Sequence, residues 1–194
     1  MFKAVILSIE EEIKQREFDA LMHLVSSEKQ KRINQFYFIR DAWNCLLGDV
    51  LTRVELSRTT GLSNNQLEFS TNAYGKPFLT TKTHIHYNIS HTGNFIACVL
   101  ADDPVGIDME LIKPIKMNIA ERFFAPDEIE YISSGDFMGR FYEVWTKNEV
   151  ESNGKDEGYI HHYRLSAFLK KICRRHQHTT VYIMAMMLFA MFVQ

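Results

Sequence analysis

Cysteine is scarce in this chain, with three residues among 194: Cys45, Cys98 and Cys173. Their spacing gives neither a paired disulfide framework nor metal-binding pairs, and a few thiols of this kind fit a reducing cytoplasm. An excess of one charge is also missing. The 22 Lys and Arg stand against 24 Asp and Glu, a net charge of −2, which excludes a nucleic-acid binder that works by neutralising phosphates. Long apolar runs are absent as well. The stretch Lys3 to Ile9, followed by Glu10 to Glu12, is too short for a signal peptide and lacks a small-residue cleavage pattern, so a strand is expected there. Val181 to Val193 falls short of the ~20 apolar residues that a spanning helix needs. These absences predict a soluble, cytoplasmic protein with no membrane or nucleic-acid partner. No internal repeat is visible.

What is present is enough apolar material, 46% of the residues, for one substantial core or two small lobes. Helical patterns run from Glu10 to Leu24, from a Ser26 N-cap to an apolar end at Phe36 and Tyr37, and from Ile39 to about Arg58. In the last of these, Ala42, Leu46, Val50 and Val54 form a stripe widened by Leu47 and Leu51. Thr59-Thr60-Gly61 stops it. Short strands are expected at Leu67 to Ser70, Ile85 to Ser90 and Phe95 to Leu100, with turns between them. Past Asp102-Asp103-Pro104 comes a further strand, then helices over Asn118 to Phe124, Asp127 to Ile132 and Phe137 to Lys147. Helices and strands are mixed without strict alternation, which predicts an α+β fold.

The strand after Pro104 carries the chemistry. In Val105-Gly106-Ile107-Asp108-Met109-Glu110, alternation sends Ile107, Met109 and Leu111 to one face and Asp108 and Glu110 to the other. Two adjacent carboxylates repel unless a cation sits between them. A third acid, Glu149, arrives on a helix beyond the Pro126 turn, within Trp145-Thr146-Lys147-Asn148-Glu149. Three hard oxygen ligands with room for water and phosphate suit Mg²⁺. The plain alternative, that Asp108 and Glu110 are the wet face of a half-buried strand, holds for Asp-x-Glu alone. The second motif at a workable distance turns the reading toward a metal.

These motifs resemble those of 4'-phosphopantetheinyl transferases of the surfactin-synthetase-activating type. That family carries Gly-[Ile/Val]-Asp-x-Glu, then Trp-[Ser/Thr]-x-Lys-Glu-[Ser/Ala]-x-x-Lys about forty residues on. Further matches are Ser26-Ser27-Glu28-Lys29, Leu46-Leu47-Gly48-Asp49, Phe69-Ser70-Thr71, Tyr74-Gly75-Lys76-Pro77 and Asn88-Ile89-Ser90-His91. The resemblance covers residues 1 to 149.

It implies two similar α/β lobes related by a pseudo-twofold, with the active site between them. The N-terminal lobe would span 1–103 and the start of the C-terminal lobe 104–149, the second lobe being incomplete. It implies Mg²⁺ held by Asp108, Glu110 and Glu149, with Asp108 and Glu149 catalytic. Glu149, or a water it orients, would take the proton of a carrier-protein serine that attacks the β-phosphate of coenzyme A. Coenzyme A would meet Lys29 and Arg32 at i, i+3 spacing, the turn Tyr74, Gly75, Lys76 and Pro77, and the pair Ser90 and His91. The implied acceptors are apo peptidyl-carrier domains of a nonribosomal peptide synthetase, with acyl-carrier proteins as a further option, served by a monomer. The alternative is an inactive remnant that at most binds nucleotide or a carrier domain.

The resemblance breaks after Glu149. Asn148 stands where the family has lysine, and Asn153 at a phosphate-binding lysine. Residues 150–194 hold four of the eight histidines, too irregularly spaced around Cys173 for a zinc site, and the Met-rich apolar end. A one-nucleotide shift after the Glu149 codon permits Glu-Ser-Arg-Ile-Lys-Trp-Glu-Gly-Arg-Gly-Leu, which resembles the family's continuation. Residues 150–194 are therefore expected to be an out-of-frame tail, leaving the second lobe with an unpaired sheet edge.

Overall fold

The computed structural model of the chain describes residues 1–73, 77–154, 160–163 and 181–188, with side chains as far as residue 149. It divides into two compact units, Met1–Val105 and Gly106–Gln194. Tyr74, Gly75 and Lys76 of the expected coenzyme A turn lie outside the described residues, as does most of the segment beyond Gly154.

In the first unit, the apolar N-terminal run forms β1 (Phe2–Ser8). Three helices follow: α1 (Gln15–Met22), α2 (Ser27–Ile33) and α3 (Ile39–Thr60). The Ser26 hydroxyl accepts the Lys29 backbone N–H at 3.2 Å, capping α2 as expected. α2 stops at Ile33 with Asn34 as its C-cap, earlier than expected, so Phe36 and Tyr37 lie in the exposed link to α3. Gly61 ends α3 in the left-handed region at φ 75°, where a side chain would be strained.

The expected stripe on α3 holds only at its start. Ala42 and Leu46 are buried, but Val54 is 39% exposed and Leu56 takes the buried place. Repeats of four residues drift about 40° per step around a helix, so the fourth member has left the inward face.

Beyond a short 3₁₀ turn at Asn64–Gln66, β2 (Phe69–Thr71) and β3 (Pro77–Leu79) pair antiparallel. β4 (His86–Thr92) and β5 (Phe95–Ala101) then form a hairpin. The main sheet runs β1-β5-β4, all antiparallel. Every residue of the central β5 is buried, which explains why its sequence is an unbroken apolar run. Leu56, Tyr87, Cys98 and Leu100 share one core, and Phe18, Ile33, Trp43 and Leu46 another.

The second unit starts on β6 (Val105–Leu111), followed by α4 (Met117–Phe123), α5 (Pro126–Ser133) and α6 (Phe137–Gly154). Pro126 occupies the first turn of α5, where its missing N–H costs nothing. Phe124, Ile132, Phe141 and Val144 make the helical core. β7 (Ile160–Tyr163) and β8 (Val181–Leu188) complete a sheet of order β6-β8-β7.

β6 thus has a hydrogen-bonded neighbour where an unpaired edge was expected. The apolar run too short for a membrane helix has the length of a strand, and an open edge pairs with backbone of any sequence. Mixed helices with antiparallel pairing make the fold α+β. Among the described residues no helix is long and apolar enough to cross a membrane.

Candidate functional site

In the second unit, β6 alternates as its sequence requires. Ile107 and Met109 are buried, while Asp108 and Glu110 are half-buried on the opposite side of the strand. α6 brings Trp145 and Glu149 toward this acidic face. Burial pushes the Glu110 carboxyl above its ordinary value, and the charges of Asp108 and Glu149 push it further. The Lys113 charge and the neighbouring Trp145 indole oppose the rise. The three predicted acids are therefore electrostatic neighbours, two from the strand and one from the helix.

Trp145 is held in turn by its own packing. Its ring stacks on Phe141 at 5.8 Å and meets Phe123 and Phe124 edge-on. Thr146, fully buried, donates its hydroxyl to the Tyr142 carbonyl at 2.8 Å, which satisfies it inside the helix. Trp145 and Thr146 thus fix the rotation of α6 that presents Glu149. The approach of Trp145 to Glu110 was not foreseen, because nothing local in either motif announces a tertiary contact.

The donor set fits a hard divalent cation. The repulsion that Asp108 and Glu149 exert on Glu110 would be relieved by a cation joining the three carboxylates. Among the described residues no group of three His, Cys, Asp or Glu side chains is arranged as a formed metal site. Glu149 is exposed on its helix, and its side chain would have to swing to meet the strand pair.

Asn148, which departs from the family pattern, has a structural partner. Its side-chain amide donates to Glu128 Oε1 at 3.0 Å. The other oxygen of Glu128 accepts the Ala125 N–H at 2.9 Å, capping α5. One carboxylate ties α5 to α6.

In the first unit a cleft of about 330 Å³ is lined by Lys29, Arg32, Asp49, Arg53, Phe69 and Pro77, among others. The i, i+3 pair Lys29 and Arg32 and the Pro77 of the expected turn all line it. Ser90 and His91 sit further along β4, in register with Ala97 and Ile96, and are not among the described residues that line the cleft. Tyr87 and Ile89 of the same strand do line it. Asp49, Arg53 and Phe69 were missed as site residues. The Asp49–Arg53 spacing of four on a helix was the available signal, since such pairs meet.

Comparison with known proteins bears on both halves. The profile of a family described as "4'-phosphopantetheinyl transferase, N-terminal" matches residues 12–104. The 4'-phosphopantetheinyl transferase Sfp of Bacillus subtilis (strain 168) is 37% identical over 148 residues, 74% of this chain and 66% of that protein. The 4'-phosphopantetheinyl transferase gsp of Aneurinibacillus migulanus is 35% identical over 160 residues, 80% of this chain and 67% of that protein. The 4'-phosphopantetheinyl transferase psf-1 of Bacillus pumilus is 32% identical over 184 residues, 92% of this chain and 77% of that protein. The match to psf-1 therefore continues past Glu149. The chain matches about two thirds of the length of Sfp.

Proposed function

The chain belongs to the 4'-phosphopantetheinyl transferase family of Sfp, gsp and psf-1, and from this premise we propose that it moves the phosphopantetheine arm of coenzyme A onto a serine of an apo carrier protein. The serine oxygen forms a bond to the β-phosphorus, the bond from that phosphorus to the bridging oxygen breaks, and adenosine 3',5'-bisphosphate leaves. The observation that carries the reading is the charge of Asp108 and Glu149 acting on Glu110 in the second unit.

Asp108, Glu110 and Glu149 would hold Mg²⁺, which when bound neutralises the diphosphate oxygens. Asp108 and Glu110 come from one strand face and are fixed by its backbone, so they form the rigid part of the site. The Trp145 indole beside Glu110 favours the charged carboxylate, the form that binds a cation. Glu149, on the more exposed helix, is the group that takes the serine proton. In the first unit, Lys29 and Arg32 supply the positive charge that a phosphate requires. The turn at Tyr74, Gly75, Lys76 and Pro77 and the pair Ser90 and His91 are proposed as further coenzyme A contacts by resemblance.

Peptidyl-carrier domains of a nonribosomal peptide synthetase are the proposed acceptors, and a cytoplasmic monomer with pseudo-twofold lobes the proposed form. Residues 150–194 are proposed to be read out of frame, and the codons after Glu149 test that directly. Codons unable to spell the alternative string remove it. The function is tested by incubating the chain with an apo-carrier domain, coenzyme A and Mg²⁺. A mass gain of one phosphopantetheine arm on the carrier is expected. A carrier left unmodified by a folded chain favours the non-catalytic remnant.

A further inference from the structure

The cleft of the first unit holds a carboxylate that ought to work against its ligand. Lys29, Arg32 and Arg53 line it, but so do Asp49 and Glu28. A negative charge inside an anion-binding cleft weakens binding unless it does something else there. The surroundings of Asp49 show what that is. Its Oδ1 accepts the Lys29 ammonium at 3.2 Å, and its Oδ2 accepts the Arg53 Nε at 2.6 Å. One carboxylate therefore joins the cation of α2 to the cation one turn further along α3.

Arg53 is itself fixed on every side. It is 8% exposed, its Nη1 donates to Asn64 Oδ1 at 3.1 Å, and its guanidinium lies 4.6 Å over the Phe69 ring. Asn64 donates onward to the Leu24 carbonyl at 2.9 Å, tying this network to the link before α2. Asp49 thus stands on a rigid base and reaches out to a lysine.

We propose that Asp49 is a positioning residue for the anion cleft, holding the Lys29 ammonium at the cleft wall before a ligand arrives. A lysine is a point charge on a flexible four-carbon stem. Without a partner, its head spreads through solvent and must be gathered when a phosphate binds, at an entropic cost. Asp49 bears that ordering cost within the fold. The inference rests on the reading of the cleft as a coenzyme A phosphate site.

The two roles open to Asp49 predict opposite signs. A carboxylate that merely repels the ligand would, on neutralisation, let coenzyme A bind more tightly. A carboxylate that positions Lys29 would, on neutralisation, make binding weaker despite the added net positive charge. Calorimetric titration of the full chain with coenzyme A separates them. Asp49→Asn is expected to weaken binding about tenfold. In the Lys29→Met background, where nothing remains to be positioned, the same substitution is expected to have little effect. Equal or tighter binding by Asp49→Asn, or an equal loss in both backgrounds, overturns the positioning role.

Should Asp49→Asn fail to fold by circular dichroism, Asp49→Glu carries the test. It keeps the charge and moves the carboxylate by one methylene, so a loss of about threefold is expected, and unchanged affinity overturns the proposal. A folded wild-type chain that takes up no coenzyme A overturns the cleft reading itself, and the positioning role with it. Wild-type uptake with an indifferent Asp49→Asn overturns the positioning role alone.

Discussion

The Trp145 indole lies beside the Glu110 carboxylate and favours its charged form, and with it the two sequence motifs of the second unit become one structure. The strand supplies the acid and the helix supplies the group that aims it. Outer partners of this kind commonly govern how well a ligand residue holds a metal. Trp145→Phe keeps the stack on Phe141 and removes the N–H. It should weaken Mg²⁺ uptake about tenfold while leaving the thermal midpoint nearly unchanged. Unaltered uptake by a folded variant would mean that Trp145 serves packing only.

Glu128 performs two tasks with one carboxylate, capping α5 through Ala125 N–H and receiving Asn148 from α6. Glu128→Ala removes both. The expected cost is about 1 kcal/mol, read as a lowered urea midpoint. Because the Asn148 bond is half of this, Glu128→Ala and Asn148→Ala should be less than additive in a double-mutant cycle.

Leu56 is fully buried among Leu67, Tyr87, Cys98 and Leu100 in the first unit. Leu56→Ala leaves a cavity between α3 and the sheet, and should cost about 3 kcal/mol in denaturant unfolding. Val54→Ala, two residues away and exposed, should cost under about 0.5 kcal/mol. Equal losses at the two positions would contradict the observed rotation of α3.

Burial pushes the Cys98 thiol from its ordinary 9.0 up to about 11. Burial, followed by the charge of Asp49, likewise pushes the Tyr87 phenol upward. For an acid whose folded pKa is raised, the stabilising contribution is whole below the unfolded value and is lost as pH rises through the folded one. The urea midpoint of the chain should therefore fall between pH 9 and 11. Cys98→Ala should flatten part of that fall, although it lowers stability at neutral pH. An equally steep fall in the variant would remove Cys98 as its source.

The parts of the fold that could be read from sequence are those in which one element determines its own pattern. β6 shows its period-two alternation because one side is buried and the other carries acids. Ser26 announces α2 because its cap bond lies within four residues of chain. The Val54 error came from extending a local rule along a helix that turns away from it. The contacts that give the site its character were beyond reach for a different reason. Trp145 meets Glu110, and Phe69 lies under Arg53, only after distant segments have packed, and no local propensity encodes such a meeting. Neither was the pairing of β8 with β6 legible, since backbone hydrogen bonds leave no mark on side-chain order.

The three-carboxylate centre is the claim on which the chemistry turns, and calorimetric titration of Mg²⁺ into the full chain with coenzyme A present tests it most directly. The wild type should show saturable uptake of one ion, and Asp108→Ala should lose it while keeping its circular dichroism spectrum. Undiminished uptake by Asp108→Ala, or none by the folded wild type, would contradict the account.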